Sequence, residues 1–230
     1  MHRRHFIGTS LAASIALFGG TLRAASAAAA PAAPLPKRKR VRVAFMVGHH
    51  ANVIDTAGPW EVFQDASTPA GDDAPFELYT VAPEDGLLEM TGGLKIQPHY
   101  TIGNAPQPNV IVVPAHKSTA ESRDWLKRAS ADTDVTMSVC TGAFQLARAG
   151  LLAGIPATTH HEFFDSFAKE FPDIELRRGL RFVDSGRIAT AGGLTSGIDL
   201  ALHVVSRYYG VETAAATAAY MEYSSEAWRA

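Results

Sequence analysis

Apolar, β-branched runs recur along this chain, each followed by a stretch with helical character, and that alternation dictates the fold class. Residues 41–47, 76–82, 109–113 and 135–139 are almost continuously apolar, the pattern of strands buried on both faces of a parallel sheet. After the first run, a loop through Asn52 and Gly58 leads to Pro59 at an expected first helical turn, followed by Trp60, Val62 and Phe63. Residues 87–100, interrupted by Gly92-Gly93, read as a hairpin excursion. Residues 118–130 carry Trp125 and Leu126 between charges, as a surface helix would. Further on, 156–159 is a short extended piece and 161–171 is amphipathic, with Phe163, Phe164 and Phe167 expected on one side. Short strands at 174–176, 181–184 and 188–191 lie between glycine turns. Two helices follow, one from Thr195 with Ile198, Leu202 and Val205 at helical spacing, the other over 211–223. Alternation of this kind predicts a mostly parallel sheet covered on both faces, with any site at the carboxyl ends of the strands.

The single cysteine, Cys140, stands where the 135–139 run meets a helix-like stretch expected to reach about Leu152. Thr141 and Gly142 are small enough to allow a sharp strand-to-helix turn, a nucleophile elbow. At such a turn the start of the helix is expected to lower the thiol pKa. The plain alternative is a small buried core residue. Asp55 and His116 also follow strand ends, so both are candidates for the same mouth. Asp55 reads either as a helix-capping aspartate or as a carboxyl beside the thiol, with a raised pKa and a proton to donate. His160, His161, His49, His50 and His116 have no metal-ligand spacing, and no metal is expected. Gly192-Gly193 lacks a phosphate-binding motif and reads as a place of close chain packing.

The amino terminus reads as an export signal over residues 1–30: twin arginines Arg3-Arg4, an apolar stretch from Leu11 to Leu22, and Ala25-Ser26-Ala27 at a cleavage site. The apolar run is shorter than the roughly 20 residues of a spanning helix, so no stable membrane insertion is expected once the signal is removed. Residues 31–40, rich in alanine and proline and ending in Lys37-Arg38-Lys39-Arg40, read as a disordered leader. A single α/β domain is expected over 41–230, in a bacterial periplasmic protein. Removing the signal takes Arg3, Arg4 and Arg23 from a chain of formal charge −2, leaving about −5. A mildly acidic domain without a basic face argues against nucleic acid as a partner. One cysteine permits no intramolecular disulfide, so the fold must rest on its core.

Four blocks occur in order: Asp55-Thr56-Ala57-Gly58-Pro59-Trp60-Glu61-Val62-Phe63, Ser138-Val139-Cys140-Thr141-Gly142-Ala143, Ala157-Thr158-Thr159-His160, and Ala191-Gly192-Gly193-Leu194-Thr195-Ser196-Gly197-Ile198-Asp199. Together they resemble the PfpI-type, class I glutamine amidotransferase-like superfamily, in the branch that holds isonitrile hydratase and the amino-terminal domains of certain AraC-type regulators. The resemblance implies a flavodoxin-like three-layer sandwich, usually a homodimer, acting on a small-molecule substrate without a cofactor. It assigns Cys140 as nucleophile and Asp55 as the acid hydrogen-bonded to it. Thr141 supplies an oxyanion-pocket amide beside Gly142, and His160 is a pocket histidine. Two departures stand out. Protease-like members carry histidine where this chain has Thr141, which removes their base. The hydratase branch has a glycine pair where this chain has Ala115-His116. A side chain there narrows the pocket, with the Ala115 amide expected to hold developing negative charge and His116 placed to contact substrate. The implied activity is an exported cysteine hydrolyase or hydratase, such as one hydrating an isonitrile to an N-substituted formamide. The alternatives are a glyoxalase- or deglycase-like enzyme on small aldehydes, and a non-catalytic ligand-binding or redox-sensing dimer.

Overall fold

The computed structural model describes residues 33–67 and 75–230; the expected export signal lies outside them. In chain order the elements are β1 (Val41–Met46), α1 (Val53–Asp65), β2 (Phe76–Ala82), β3 (Leu88–Glu89), β4 (Lys95–Ile96), β5 (Tyr100–Thr101), β6 (Val110–Val113), α2 (Ala120–Ala131) and β7 (Val135–Ser138). There follow α3 (Gly142–Arg148), β8 (Pro156–Ala157), α4 (Phe164–Glu170), β9 (Glu175–Leu176), β10 (Phe182–Asp184), β11 (Ile188–Ala191), α5 (Ser196–Tyr209) and α6 (Val211–Tyr220).

Seven strands form one sheet in the order β10-β11-β7-β6-β1-β2-β5. Its pairings are parallel apart from β10 against β11. Each central strand is buried on both faces, which is why its sequence is continuously apolar rather than alternating. Along β1, Val43 and Phe45 join the core cluster that contains Ile198, Leu202 and Val205 of α5. Ala44 and Met46 point the other way, into the cluster of Trp125 and Leu126 on α2 with Phe144 and Leu146 on α3. This is the three-layer, flavodoxin-like α/β sandwich expected from the sequence. Burying each of the larger of these side chains contributes about 1.5–3 kcal/mol, spread over both faces of the sheet.

The chain leaves β1 to add β2 on one side and then β6, β7 and β11 on the other. Strand order therefore reverses at β1/β6, and the loops after β1, β6, β7 and β11 gather at that point of the carboxyl edge. Within the 87–100 excursion, β3 and β4 form an antiparallel pair turning at Gly92 and Gly93, both with positive φ, while Tyr100 already belongs to β5 of the main sheet.

Four local expectations are corrected. Pro59 does not open α1; it lies inside it, because Asn52 caps the helix, accepting from the backbone N–H groups of Ile54 and Asp55. The helix after Cys140 stops at Arg148 instead of near Leu152, where Gly150 takes a positive φ. The phenylalanines of 161–171 do not share a buried side. Phe167 is fully buried beside Phe144, while Phe163 is exposed and Phe164 lies under the Arg178 guanidinium. The segment before β1 is held to the body rather than disordered from Leu35 onward. Leu35 is buried and its N–H donates to the Arg207 carbonyl, and Arg38 makes a two-point ion pair with Asp134 at 2.6 and 2.8 Å.

Candidate active site

Cys140 is separated from β7 by Val139 alone and takes φ = 58°, a left-handed conformation that a non-glycine residue holds only when its surroundings impose it. The surroundings here are backbone clamps. The Cys140 N–H donates to the Gly192 carbonyl at 2.8 Å, and the Thr159 hydroxyl donates to the Cys140 carbonyl at 2.9 Å. The Gly142 N–H closes the turn onto the Val139 carbonyl at 2.9 Å. Gly142 is required by space: a Cβ there would stand 2.1 Å from the Val113 carbonyl oxygen. Backbone cannot retreat like a flexible side chain, so Gly142→Ala is expected to cost about 3 kcal/mol. Urea unfolding reads this directly, and a variant as stable as the parent would refute the close approach.

Asp55 lies in the first turn of α1 and is fully buried. It is not the cap, since Asn52 fills that role; its Oδ2 instead accepts from the Ala115 N–H at 3.1 Å. Its Oδ1 has no full hydrogen-bond partner. Burial pushes the carboxyl pKa up to about 6, opposed by the Ala115 N–H, the Cys140 thiol and the Leu194 N–H. Cys140 answers in the same direction. Burial, and after it the charge of Asp55, push the thiol up to about 12, against the Thr141 and Leu194 N–H groups. The expected depression of the thiol pKa is thereby reversed: a seven-residue helix start does not offset desolvation next to a carboxylate. No lysine or arginine is among the groups that shift either residue. Two acids in contact without a counter-cation cannot both ionise, so at neutral pH the pair carries one proton and one negative charge.

The remaining predicted residues fall around this pair. Thr141 directs its N–H at the thiol. Ala115 is placed as expected, but its N–H is engaged by Asp55 rather than left free for a substrate oxygen. His116 Nδ1 lies 3.0 Å from the Pro114 carbonyl and 3.0 Å from Gln145 Nε2, and its ring covers Gly48. Burial lowers its pKa to about 4, so it is a neutral imidazole near pH 7. His160 accepts the Glu162 N–H at Nδ1, which leaves the ring proton on Nε2. Its ring lies against Gly193, where an added Cβ would meet Cδ2 at 2.1 Å. Among the described residues, no three His, Cys, Asp or Glu side chains converge as a metal site would require. Sequence reasoning missed Leu194 and Gln145. Leu194 acts through a backbone N–H, at φ = 54°, and so leaves no side-chain signature. Gln145 would have been legible only as a polar residue on the buried face of α3.

A family model described as the DJ-1/PfpI family matches residues 41–207. The chain belongs to the DJ-1/PfpI family. Among curated relatives it is 29% identical to an isonitrile hydratase of Pseudomonas putida over 190 residues, 80% of this chain and 79% of that protein. It is 27% identical to the HTH-type transcriptional regulator GbdR of Pseudomonas aeruginosa over 192 residues, 81% of this chain and 52% of the regulator. The chain thus spans about half the length of that regulator. Among solved structures, a THiJ/PfpI family protein from Pseudomonas syringae superposes with a TM-score of 0.72 at 26% identity, covering 84% of this chain and 78% of that one. DJ-1beta of Drosophila melanogaster shares the DJ-1/PfpI fold at a TM-score of 0.69 and 13% identity, over 81% of this chain and all of that one.

Proposed function

We propose that this chain is a cofactor-free cysteine hydratase that adds water to a small electrophile, an isonitrile being the substrate its site fits best. The observation that carries this reading is the fully buried Asp55 carboxyl set against the buried Cys140 thiol on its left-handed elbow. Similarity to the Pseudomonas putida isonitrile hydratase over most of both chains supports it. The Asp55 carboxylate takes the thiol proton as sulfur attacks the terminal carbon of the isonitrile, forming the S–C bond. Asp55, now neutral, returns that proton to the same carbon and leaves a thioimidate. Water then adds across the C=N bond, the C–S bond breaks, and the N-substituted formamide departs with the thiol restored. The proposal keeps residues 1–30 as a twin-arginine export signal and the mature chain as a periplasmic homodimer.

The similarity to transcriptional regulators favours a second reading, a module that binds a small ligand without turnover. One experiment separates the two. The purified chain is incubated with a simple alkyl isonitrile, and formamide is followed by mass spectrometry in parallel with methylglyoxal and its hydroxyacid product. Catalytic formamide formation is the expected result. Hydroxyacid alone would move the assignment to aldehyde chemistry, and binding without either product would favour the ligand module. A redox sensor is disfavoured on physical grounds, because sensor thiols are exposed and ionised whereas Cys140 is buried and protonated.

A further inference from the structure

Gln145 sits on α3, 1% exposed, facing the loop that leaves β6. A buried glutamine within an otherwise apolar helix face costs free energy unless its amide is used. Its Nε2 lies 3.3 Å from the Pro114 carbonyl, 3.1 Å from the His116 carbonyl and 3.0 Å from His116 Nδ1, while Oε1 has no partner. All of the amide's bonding is therefore spent on one three-residue turn. The middle residue of that turn is Ala115, whose N–H meets Asp55 Oδ2 at 3.1 Å.

The Pro114 carbonyl and the Ala115 N–H belong to the same peptide unit. That unit is planar and trans, so its C=O and N–H point in opposite directions. Holding the carbonyl from the α3 side consequently aims the N–H at α1. His116 strengthens the hold, because its Nδ1 also lies 3.0 Å from the Pro114 carbonyl. In the Nδ1-protonated tautomer the ring donates to Pro114 and the amide serves the carbonyls; in the other tautomer Nδ1 accepts from the amide. Both arrangements leave the peptide pinned.

We propose that Gln145 is a positioning residue for Asp55, acting through the Pro114–Ala115 peptide to fix the backbone N–H that meets the buried carboxyl at Oδ2. This deepens the hydratase reading, since Asp55 is the proton carrier in that scheme. The groups facing Asp55 are the Ala115 N–H from the β6 loop, the Cys140 thiol from the elbow and the Leu194 N–H from the loop after β11. His116, neutral near pH 7, is the titratable group facing Gln145.

The sign of the effect follows from the chemistry. A hydrogen bond donated to a carboxylate favours its charged form, so loosening the Ala115 N–H must raise the Asp55 pKa further. Gln145→Met keeps the volume and removes the amide; Gln145→Asn keeps an amide but draws it back by one methylene. The measurement is the titration of the Asp55 carboxyl carbon by NMR in the full chain, with the pH dependence of Cys140 alkylation by iodoacetamide alongside. Neither readout needs turnover, so failure of the isonitrile reading and failure of this one are separable. We expect the Asp55 midpoint to rise by about one unit in Gln145→Met, with a smaller rise in Gln145→Asn. In active enzyme the acidic limb of kcat/KM should move by the same amount. An Asp55 midpoint unmoved in both folded variants overturns the proposal. So does loss of the fold in both, which would make Gln145 a residue of the core and nothing more.

Discussion

Cys140→Ser is expected to reduce formamide production from an isonitrile by about 10⁴-fold or more while leaving the fold intact. The size of the loss follows from chemistry: a serine hydroxyl in this pocket has a far higher pKa than the thiol and only one carboxylate to activate it, and removing a covalent nucleophile costs on this order or more. The fold survives because sulfur and oxygen differ little in size and the elbow is held by backbone bonds. Those bonds, from the Cys140 N–H to Gly192 and from Thr159 to the Cys140 carbonyl, do not involve the side chain at 140. Stability within about 1 kcal/mol of the parent is expected. Product formation and a urea melt on the same preparation check both halves. Turnover that persists in a folded serine variant would remove Cys140 from the mechanism.

Asp55→Asn is expected to do three things in different directions. The native carboxyl has its pKa raised from its ordinary 3.8 to about 6, so the folded state binds that proton more tightly than the unfolded chain. Ionising it therefore opposes folding. The cost is absent at low pH, grows as pH rises from about 4 to about 6, and is full above that. Asparagine never ionises, and its Oδ1 still accepts from the Ala115 N–H. The variant should consequently be more stable than the parent by about 2–3 kcal/mol at pH 7.5, with the difference vanishing near pH 4. The second effect is on the thiol. Removing the neighbouring charge takes away one of the two causes that raise the Cys140 pKa, so alkylation at pH 8 should become faster. The third is on catalysis, where loss of the proton carrier should lower kcat/KM by about 10²–10⁴-fold. Thermal melts across pH, iodoacetamide kinetics and formamide assays read the three. A stability difference that does not change with pH would mean that burial leaves the Asp55 pKa at its unfolded value.

The architecture was legible because burial on both faces writes itself into β1, β2, β6 and β7 as mostly apolar runs, and because the four ordered motif blocks carry a family's spacing. The placing of Cys140 and Asp55 was legible for the same reason; Ala115 was singled out as a departure from the hydratase pattern, and its engagement by Asp55 was not foreseen. What escaped detection acts through backbone or through tertiary context. Pro59 looks like a helix start, yet Asn52 makes a stronger cap and the helix continues past the proline. Phe163, Phe164 and Phe167 look alike in sequence, and of the three only Phe167 is buried, edge-on to Phe144. The thiol pKa was misjudged because proximity to a helix start is visible in sequence, whereas the depth of burial of Cys140 and the nearness of the Asp55 charge are not. Leu35 and Arg38 are anchored by Arg207 and Asp134, partners far away along the chain.

Position 193 admits a side chain only if the imidazole at position 160 gives up its present place. The two residues are therefore coupled in inheritance as well as in space. A descendant that gains an alanine at 193 must turn the His160 ring aside or exchange it for something smaller, and either change moves the Nε2 proton that the ring brings beside the Gly192–Leu194 loop. A substitution at 193 is therefore read out at 160, and a single step there alters the site through the position of the imidazole.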